Sequence, residues 1–125
     1  MWKRILPILV APLLLSGCAA TFTNLTPHRQ PRNTENAYAV EVALDTRQQS
    51  LKWESIQPYV NVGTEFFPMR QTQLMKNRWE GLVPVPPGTN LVYYRYKFDF
   101  QYRDFGGLRA DSATSPEYKL VITDK

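Results

Sequence analysis

Alternating hydrophobic positions mark one long strand in the second half of the chain, NLVYYRYKFDFQYR from Asn90 to Arg103. Every second residue in it is large and apolar, and most are aromatic: Val92, Tyr94, Tyr96, Phe98, Phe100 and Tyr102. The residues between them are mostly charged or polar. Because alternate side chains of a β-strand point to opposite faces, the pattern predicts a strand with one buried face and one solvated face.

The aromatic face of this strand requires a cover. Burying large side chains lowers the free energy of the folded state, whereas fixing an extended backbone costs conformational entropy of similar size. A single strand therefore does not hold its shape alone. We expect a second sheet packed on the aromatic face, which gives a two-layer β domain.

Shorter segments of the same kind predict the remaining strands, at residues 37–44, 51–55, 59–63, 78–85 and 117–123. Pro58 lies between the segments 51–55 and 59–63. It is expected to separate them into two strands, because proline cannot donate a hydrogen bond to a central ladder. Trp79 shares a face with Gly81, Val83 and Val85 in the fourth.

Proline- and glycine-rich segments separate the predicted strands. Pro86-Pro87-Gly88 predicts a tight turn into the long strand, and Asp104 to Pro116 predicts a loop around Gly106-Gly107. A short edge strand and a loop are expected within residues 64–77, where Pro68 breaks an apolar run. About seven short strands with frequent turns favour an all-β fold, an immunoglobulin-like two-sheet β-sandwich.

The N-terminus has the pattern of an export signal. Lys3 and Arg4 precede an apolar run from Ile5 to Leu15, which is too short to cross a bilayer as an ordinary helix. The following Leu15-Ser16-Gly17-Cys18 resembles the lipobox of bacterial lipoproteins. The alternative is an ordinary secretory signal, or a short anchor, with an incidental cysteine.

The lipoprotein resemblance implies a membrane anchor. In that family the thiol of the cysteine, which here is Cys18, receives a diacylglycerol, cleavage occurs just before it, and the new amine is acylated, with chains of the palmitate type. Two or more chains give stable attachment to membrane lipid. Ala19 stands where an Asp would mark retention in the inner membrane, so the resemblance implies the outer membrane, with the domain facing the periplasm or the cell surface.

Three segments follow from these patterns: a signal peptide at residues 1–17, the lipidated Cys18 with a flexible tether at residues 18–36, and the β domain at residues 37–125. The tether is predicted because Thr21 to Asn36 is polar, contains two prolines and shows no hydrophobic period.

The second half of the domain also resembles the early-set immunoglobulin-like modules that bind glycogen or precede isoamylases. The matching segments are Trp79 to Val85, Pro86 to Gly88, Tyr96-Lys97-Phe98 and Asp111 to Pro116. The tryptophan motif that stacks on sugar in the glycan-binding members is missing. The resemblance therefore implies the fold and leaves the ligand open.

Charge and composition argue against several functions. The chain has 15 Lys and Arg against 11 Asp and Glu, a formal charge of +4, and removal of Lys3 and Arg4 leaves 13 against 11, or +2. Such interspersed charge does not favour nucleic-acid binding. One Cys permits no internal disulfide or thiolate metal cluster, and the one His, His28, falls in the predicted tether. We expect no catalysis, metal or cofactor.

Two kinds of partner remain as hypotheses. The first is an envelope protein docked on the solvated face of the long strand, through Leu91, Tyr93, Arg95 and Lys97. The second is a glycan stacked on exposed aromatic side chains, for which the candidates are Trp53, Trp79, Tyr93 and Phe105. The alternatives are that the strand face is only solvated and that the two tryptophans belong to the core.

Overall fold

The computed structural model describes residues 20–46 and 51–124. The predicted signal peptide, together with Cys18, lies outside the described residues. Within them the protein is all-β, without helices. No helix long and apolar enough to span a membrane occurs in that part of the chain.

Ten strands make up the described fold. They are β1 (Ala20–Asn24), β2 (Arg29–Pro31), β3 (Ala37–Thr46), β4 (Leu51–Val62), β5 (Glu65–Pro68), β6 (Arg70–Gln71), β7 (Arg78–Pro84), β8 (Leu91–Asp104), β9 (Gly107–Thr114) and β10 (Tyr118–Thr123).

The strands form two sheets packed as a β-sandwich, as the sequence predicts. One sheet has four strands in the order β1-β3-β7-β6. The other has six, in the order β2-β10-β8-β4-β5, with β9 also paired to β8. Neighbours are antiparallel except β2 and β10, which are parallel.

The predicted long strand is β8, which lies inside the six-stranded sheet. One of its edges pairs with β4. Its other edge pairs with β10 over residues 91–94 and with β9 over residues 97–104. Ser115 joins these two partners, because its backbone N–H donates to the Tyr96 carbonyl and its Oγ accepts from the Tyr96 N–H at 2.8 Å.

The core lies between the sheets and is largely aromatic on the β8 side. Val92, Tyr94, Tyr96 and Phe98 are buried, which confirms the predicted inner face for these four residues, whereas Phe100 and Tyr102 are only half-buried. Phe98 makes edge-to-face contacts with Phe22 and with Trp79, whose ring centroids lie 5.1 and 4.9 Å away. From the other sheet come the buried side chains of Tyr38, Val40, Val42, Leu44, Trp79 and Val83.

The tether predicted for residues 18–36 is wrong from Ala20 onward. Residues 20–24 pair with β3, where Asn24 lies opposite Val42, and residues 29–31 pair with β10. Asn24 and Thr26 also hydrogen-bond to the Tyr96 hydroxyl at 2.7 and 3.0 Å. The polar side chains of Asn24 and Thr26 bond to a buried tyrosine, so polarity that suggests a tether serves the fold at these two positions.

Arg32 fixes the end of this N-terminal segment. Its Nε lies 2.7 Å from Asp124 Oδ1, and its other nitrogens donate to the Thr89 carbonyl and to Asn90 Oδ1. A hydrogen-bonded turn follows, in which Asn33 Oδ1 accepts from the N–H of Asn36 at 2.8 Å. The first strand of the sequence prediction, β3, is therefore the third strand of the fold.

The loop predicted from Asp104 to Pro116 is also wrong, because most of it is β9. Residues 107–114 pair with β8 from Lys97 to Asp104 and form a hairpin. Gly107 turns the chain with a φ of 107°, a conformation that favours glycine. Every β9 side chain is exposed or only half-buried, so no hydrophobic alternation marks the strand.

Pro58 does not interrupt β4. It lies opposite Phe98 in the register, and its carbonyl accepts a hydrogen bond from the Met69 N–H on the β5 side. The N–H and C=O of a residue in an antiparallel strand point to the same side. The position of the N–H that Pro58 lacks therefore faces the end of β5, and no hydrogen bond between β4 and β8 is lost. The irregularity lies earlier, between Lys52 and Gln57, where β4 bulges.

Residues 64–77 supply two edge strands instead of one. β5 closes the six-stranded sheet and β6 closes the four-stranded sheet, and the buried Met69 lies between them. The chain therefore crosses from one layer to the other at Met69, where Gly81 leaves room for its side chain.

Candidate functional site

The outward-pointing side chains of the six-stranded sheet form the candidate site, which we call the outer face. The register places Lys119 of β10 opposite Tyr93, Asn61 of β4 opposite Arg95, and Tyr59 of β4 opposite Lys97. The structure thus puts Tyr93, Arg95 and Lys97 on one surface. The full set is Tyr93, Arg95, Lys97, Asp99, Tyr59, Asn61, Phe66 and Lys119.

An aromatic pair and a cation lie together on the β5 side of the outer face. Tyr59 and Phe66 are edge to face, with ring centroids 6.3 Å apart. Lys97 Nζ lies 5.6 Å from the Phe66 ring centroid and 3.0 Å from Asp99 Oδ1. A lysine over an aromatic ring contributes about 0.5–1 kcal/mol at an exposed site. Phe66 is about half exposed, so this cluster is open to a partner.

The β10 side of the outer face carries an exposed ion pair. Arg95 lies 3.4 Å from the carboxylate of Glu117, and both side chains are substantially exposed. Such pairs contribute about 0–1 kcal/mol because water screens them. Arg95 can therefore exchange Glu117 for a partner's carboxylate at little cost to stability. Tyr93 next to it is half exposed.

Asn61 carries a polar atom that the fold leaves unsatisfied. Its Oδ1 is buried and finds no hydrogen-bond donor among the described residues. A buried unsatisfied acceptor costs about 1–3 kcal/mol.

Trp79 is not a contact residue, which corrects the sequence hypothesis of a sugar-stacking platform there. It is 4% exposed and packs against Phe98 inside the sandwich. Trp53 lies parallel to it at 6.3 Å, with Lys76 Nζ 5.0 Å from the Trp53 ring centroid. Trp53 comes two residues after the buried Leu51 on β4, so it shares the inward face and packs against the core. Both rings are engaged within the fold.

Phe105 is fully exposed but distant from the other candidates. It lies in the turn between β8 and β9, twelve residues after Tyr93 along an extended strand. At about 3.3 Å per residue the two are about 40 Å apart. Phe105 and Tyr93 therefore belong to different surfaces.

Buried tyrosine hydroxyls stabilise the inner side of the sheet. The Asn24 amide donates to the Tyr94 hydroxyl at 2.8 Å, and the Tyr96 hydroxyl donates to Asn24 Oδ1. Burial raises the pKa of Tyr96 far above its usual range, and burial likewise raises the pKa of Tyr118. Tyr96 thus remains a neutral hydrogen-bonding group, with a structural role.

Two of the concave regions on the surface are formed entirely by described residues. A groove of about 830 Å³ is bordered by residues 25–27 and 68–70 together with Glu41 and Glu80. A smaller polar hollow of about 480 Å³ lies at the β4 bulge, lined by Ser55, Gln57, Asp99, Gln101, Asp111 and Ser112 among others. The described residues contain no group of three His, Cys, Asp or Glu side chains placed to hold a metal ion.

No protein-family model, curated protein or solved structure matches this chain. Its own surface is therefore the basis for inferring function. The sequence identified the β8 contribution to that surface, whereas it missed Tyr59 and Phe66. The register of the β4–β5 hairpin, in which Asn61 lies opposite Phe66, places Tyr59 and Phe66 on the outer face. The only local signal was an apolar Phe66-Phe67 pair next to a glycine turn at Gly63.

Proposed function

We propose that this protein is a lipid-anchored, non-catalytic β-sandwich that docks another protein of the bacterial cell envelope through its outer face. The observation that carries the docking is the grouping of Tyr59, Phe66, Tyr93, Arg95 and Lys97 on one sheet surface. Tyrosine, phenylalanine and arginine are enriched at the centres of protein interfaces. A sheet surface also suits a broad protein contact better than a small ligand, which favours a deep pocket.

The lipid anchor is supported by the sequence. Leu15-Ser16-Gly17-Cys18 follows a short apolar run with two cations in front of it. Acylation of Cys18 would place the outer face in the envelope, at the outer membrane, where a docked partner would be another envelope component. This protein would then link that partner to the lipid.

Strand order supports an immunoglobulin-like subtype as part of the proposal. The four-stranded order β1-β3-β7-β6 corresponds to strands A, B, E and D of that fold. The order β10-β8-β4-β5 corresponds to G, F, C and C′. The early-set likeness seen from Trp79 to Pro116 is compatible with this assignment. The antibody disulfide is absent because the chain has a single Cys.

A glycan is the second candidate ligand, favoured by the polar hollow at the β4 bulge. Its carboxylate, amide and hydroxyl side chains, such as Asp99, Gln57 and Ser112, are suited to hydrogen bonding with sugar hydroxyls. Trp53 and Trp79 are engaged within the fold, so they supply no stacking platform. The hollow thus offers hydrogen bonds without the tryptophan surface expected of a glycan-binding module.

Crosslinking in the intact envelope tests the docking proposal. The full-length protein should yield one discrete protein adduct, and Tyr93→Ala combined with Lys97→Ala should remove it. Leu82→Ala is the matched control, because Leu82 is exposed on the opposite sheet. Equal adduct yields from all three proteins would contradict docking through the outer face. Retention by peptidoglycan or α-glucan, lost in Gln57→Ala, would favour the glycan.

The anchor has a separate test. Mass spectrometry of the mature protein should find an N-terminal Cys18 carrying lipid, and Cys18→Ala should release the protein from the membrane fraction. An unmodified Cys18, or an unchanged membrane fraction for Cys18→Ala, would contradict the anchor.

A further inference from the structure

Three exposed apolar side chains lie near one end of the sandwich. Leu74, in the loop before β7, is 96% exposed. Phe105 is fully exposed in the β8–β9 turn, and Leu108, just after that turn, is half exposed. None of them belongs to the outer face described above. Apolar side chains exposed at the same end of a small domain are suited to a contact with lipid or protein.

Strand pairing places these residues at the end of the sandwich where the described chain begins, which we call the anchor end. Ala20 lies opposite Thr46 at the end of β3. The loop carrying Leu74 reaches the same end, since the Asn77 carbonyl accepts from the Leu44 N–H. The β8–β9 turn follows Tyr102, which lies opposite Leu51 at the start of β4, the next strand after β3.

Cys18 is only two residues before Ala20. Two residues span at most about 7 Å, so a lipid on Cys18 keeps the anchor end next to the bilayer. This short distance depends on the pairing of residues 20–24 with β3. A flexible segment of residues 18–36 would permit a separation of about 50 Å or more between the domain and the bilayer.

Charge at the anchor end is suited to a lipid surface. Each apolar residue has a cation within two positions of it: Lys76 after Leu74, Arg103 before Phe105, and Arg109 next to Leu108. In the turn, Asp104 pairs with Arg109 at 3.1 Å. The loop and turn together carry three cations and one carboxylate. Long cationic side chains can reach headgroup phosphates while nearby apolar groups enter the acyl boundary.

We propose that Leu74, Phe105 and Leu108 insert into the headgroup–acyl boundary of the membrane that holds Cys18. This inference rests on the proposed lipid anchor and adds a second, non-covalent attachment to it. Three attachment points in different elements fix the orientation of the domain. Tyr93, about 40 Å from Phe105 along β8, is then held away from the bilayer, where a protein can reach the outer face.

Spin labels on the full-length protein in membranes test this placement. Acylation of Cys18 would leave an introduced cysteine as the one free thiol of the mature chain. One label is placed by Phe105→Cys and a control label by Pro87→Cys, in the exposed turn before β8 at the opposite end. Collision with oxygen reports exposure to lipid, and collision with a water-soluble nickel complex reports exposure to water. Mass spectrometry of the same samples reports the acylation of Cys18.

With Cys18 acylated, the label at residue 105 should collide with oxygen and be shielded from nickel, and the label at residue 87 should show the reverse. Equal nickel accessibility at both positions overturns the insertion and leaves the anchor intact. A label at residue 105 shielded from both reagents also overturns it, because that result indicates a protein contact or a second copy. A Cys18 without lipid overturns the anchor and the insertion together.

A second variant separates insertion from mere proximity. With the label at Leu74→Cys, the added change Phe105→Asp should return the label to water without altering acylation or the membrane fraction. Asp replaces an exposed side chain, so the fold should be retained. Unchanged oxygen accessibility at residue 74 would show that Phe105 does not hold this end in the lipid.

Discussion

The two halves of β8 share one sequence pattern but have different surroundings. In the first half, Tyr94, Tyr96 and Phe98 are buried under the four-stranded sheet. In the second half, Phe100 and Tyr102 are only half-buried, and the hairpin partner β9 is mostly exposed. Alternation therefore predicts which side chains share a face, whereas the cover from another layer decides how deeply that face is buried.

The proposed contacts also divide between the two halves of β8. The first half displays Tyr93, Arg95 and Lys97 on the outer face, and the second half ends in the exposed turn with Phe105. In the proposed arrangement, the first half presents a protein contact and the second half reaches the lipid. The rigid inner face holds the two surfaces at a fixed separation.

The largest expected effect is that of a charge in the first half of β8. Tyr96→Asp or Phe98→Asp should destabilise the domain by about 4 kcal/mol or more, since each buries an unpaired carboxylate. Phe100→Asp, in the second half, should cost clearly less because its side chain reaches water. Thermal unfolding followed by circular dichroism measures all three. Equal losses would show that both halves are covered alike.

Loss of the Asn24 side chain should have an intermediate effect. Asn24→Ala leaves the Tyr94 and Tyr96 hydroxyls without this partner and should lower the free energy of unfolding by about 2 kcal/mol. Thr23→Ala is the control on the same strand, because Thr23 is exposed. Urea denaturation compares them. An Asn24→Ala protein as stable as wild type would contradict the stabilising role of the Asn24 hydrogen bonds and would favour the flexible tether predicted for this segment.

Removing one hydroxyl should cost less and should change the alkaline stability. Tyr96→Phe should lower the free energy of unfolding by about 1 kcal/mol at neutral pH. Because burial raises the folded pKa of Tyr96 above its ordinary 10.0, the hydroxyl stays protonated in the folded state while it ionises in the unfolded one. Stability of the wild type should therefore fall above about pH 10, by linkage.

Denaturation curves from pH 8 to pH 11 check this prediction. The fall in unfolding free energy above pH 10 should be smaller in Tyr96→Phe than in wild type, because the variant lacks the group that titrates. Parallel pH curves would contradict the inferred burial of the Tyr96 hydroxyl.

The smallest effect on stability belongs to the outer face. Tyr93→Ala and Lys97→Ala should each change the free energy of unfolding by less than about 0.5–1 kcal/mol, since Tyr93 is half exposed and water partly screens the Lys97–Asp99 pair. A larger loss would assign these residues to folding, which removes them as probes of binding.

Strands with a buried face were predictable, and strands without one were not. β3, β7, β10 and the first half of β8 show alternation, because in each of them alternate side chains face inward between the sheets. β9 has no buried face and is held by its backbone ladder to β8. In β1, the polar Asn24 bonds to the hydroxyls of Tyr94 and Tyr96. These tyrosines are distant in sequence, so the sequence around Asn24 does not indicate its partners.

The candidate site was predictable only where it lies on β8. Tyr93, Arg95 and Lys97 follow from alternation alone, whereas Tyr59 and Phe66 join them through a hairpin register. From the sequence, Trp79 could be either a core residue or an exposed platform for a sugar. Its contact with Phe98 shows that it is a core residue, and this contact joins residues distant in sequence. Residues that meet across strands cannot be paired without the register.

Photo-crosslinking from the two halves of β8 tests the central claim most directly. A diazirine amino acid replaces Phe105 or Tyr93 in the full-length protein, and the adducts formed in intact envelopes are identified by mass. We expect lipid adducts from position 105 and one discrete protein adduct from position 93. Protein adducts from position 105, lipid adducts from position 93, or the same products from both would contradict it.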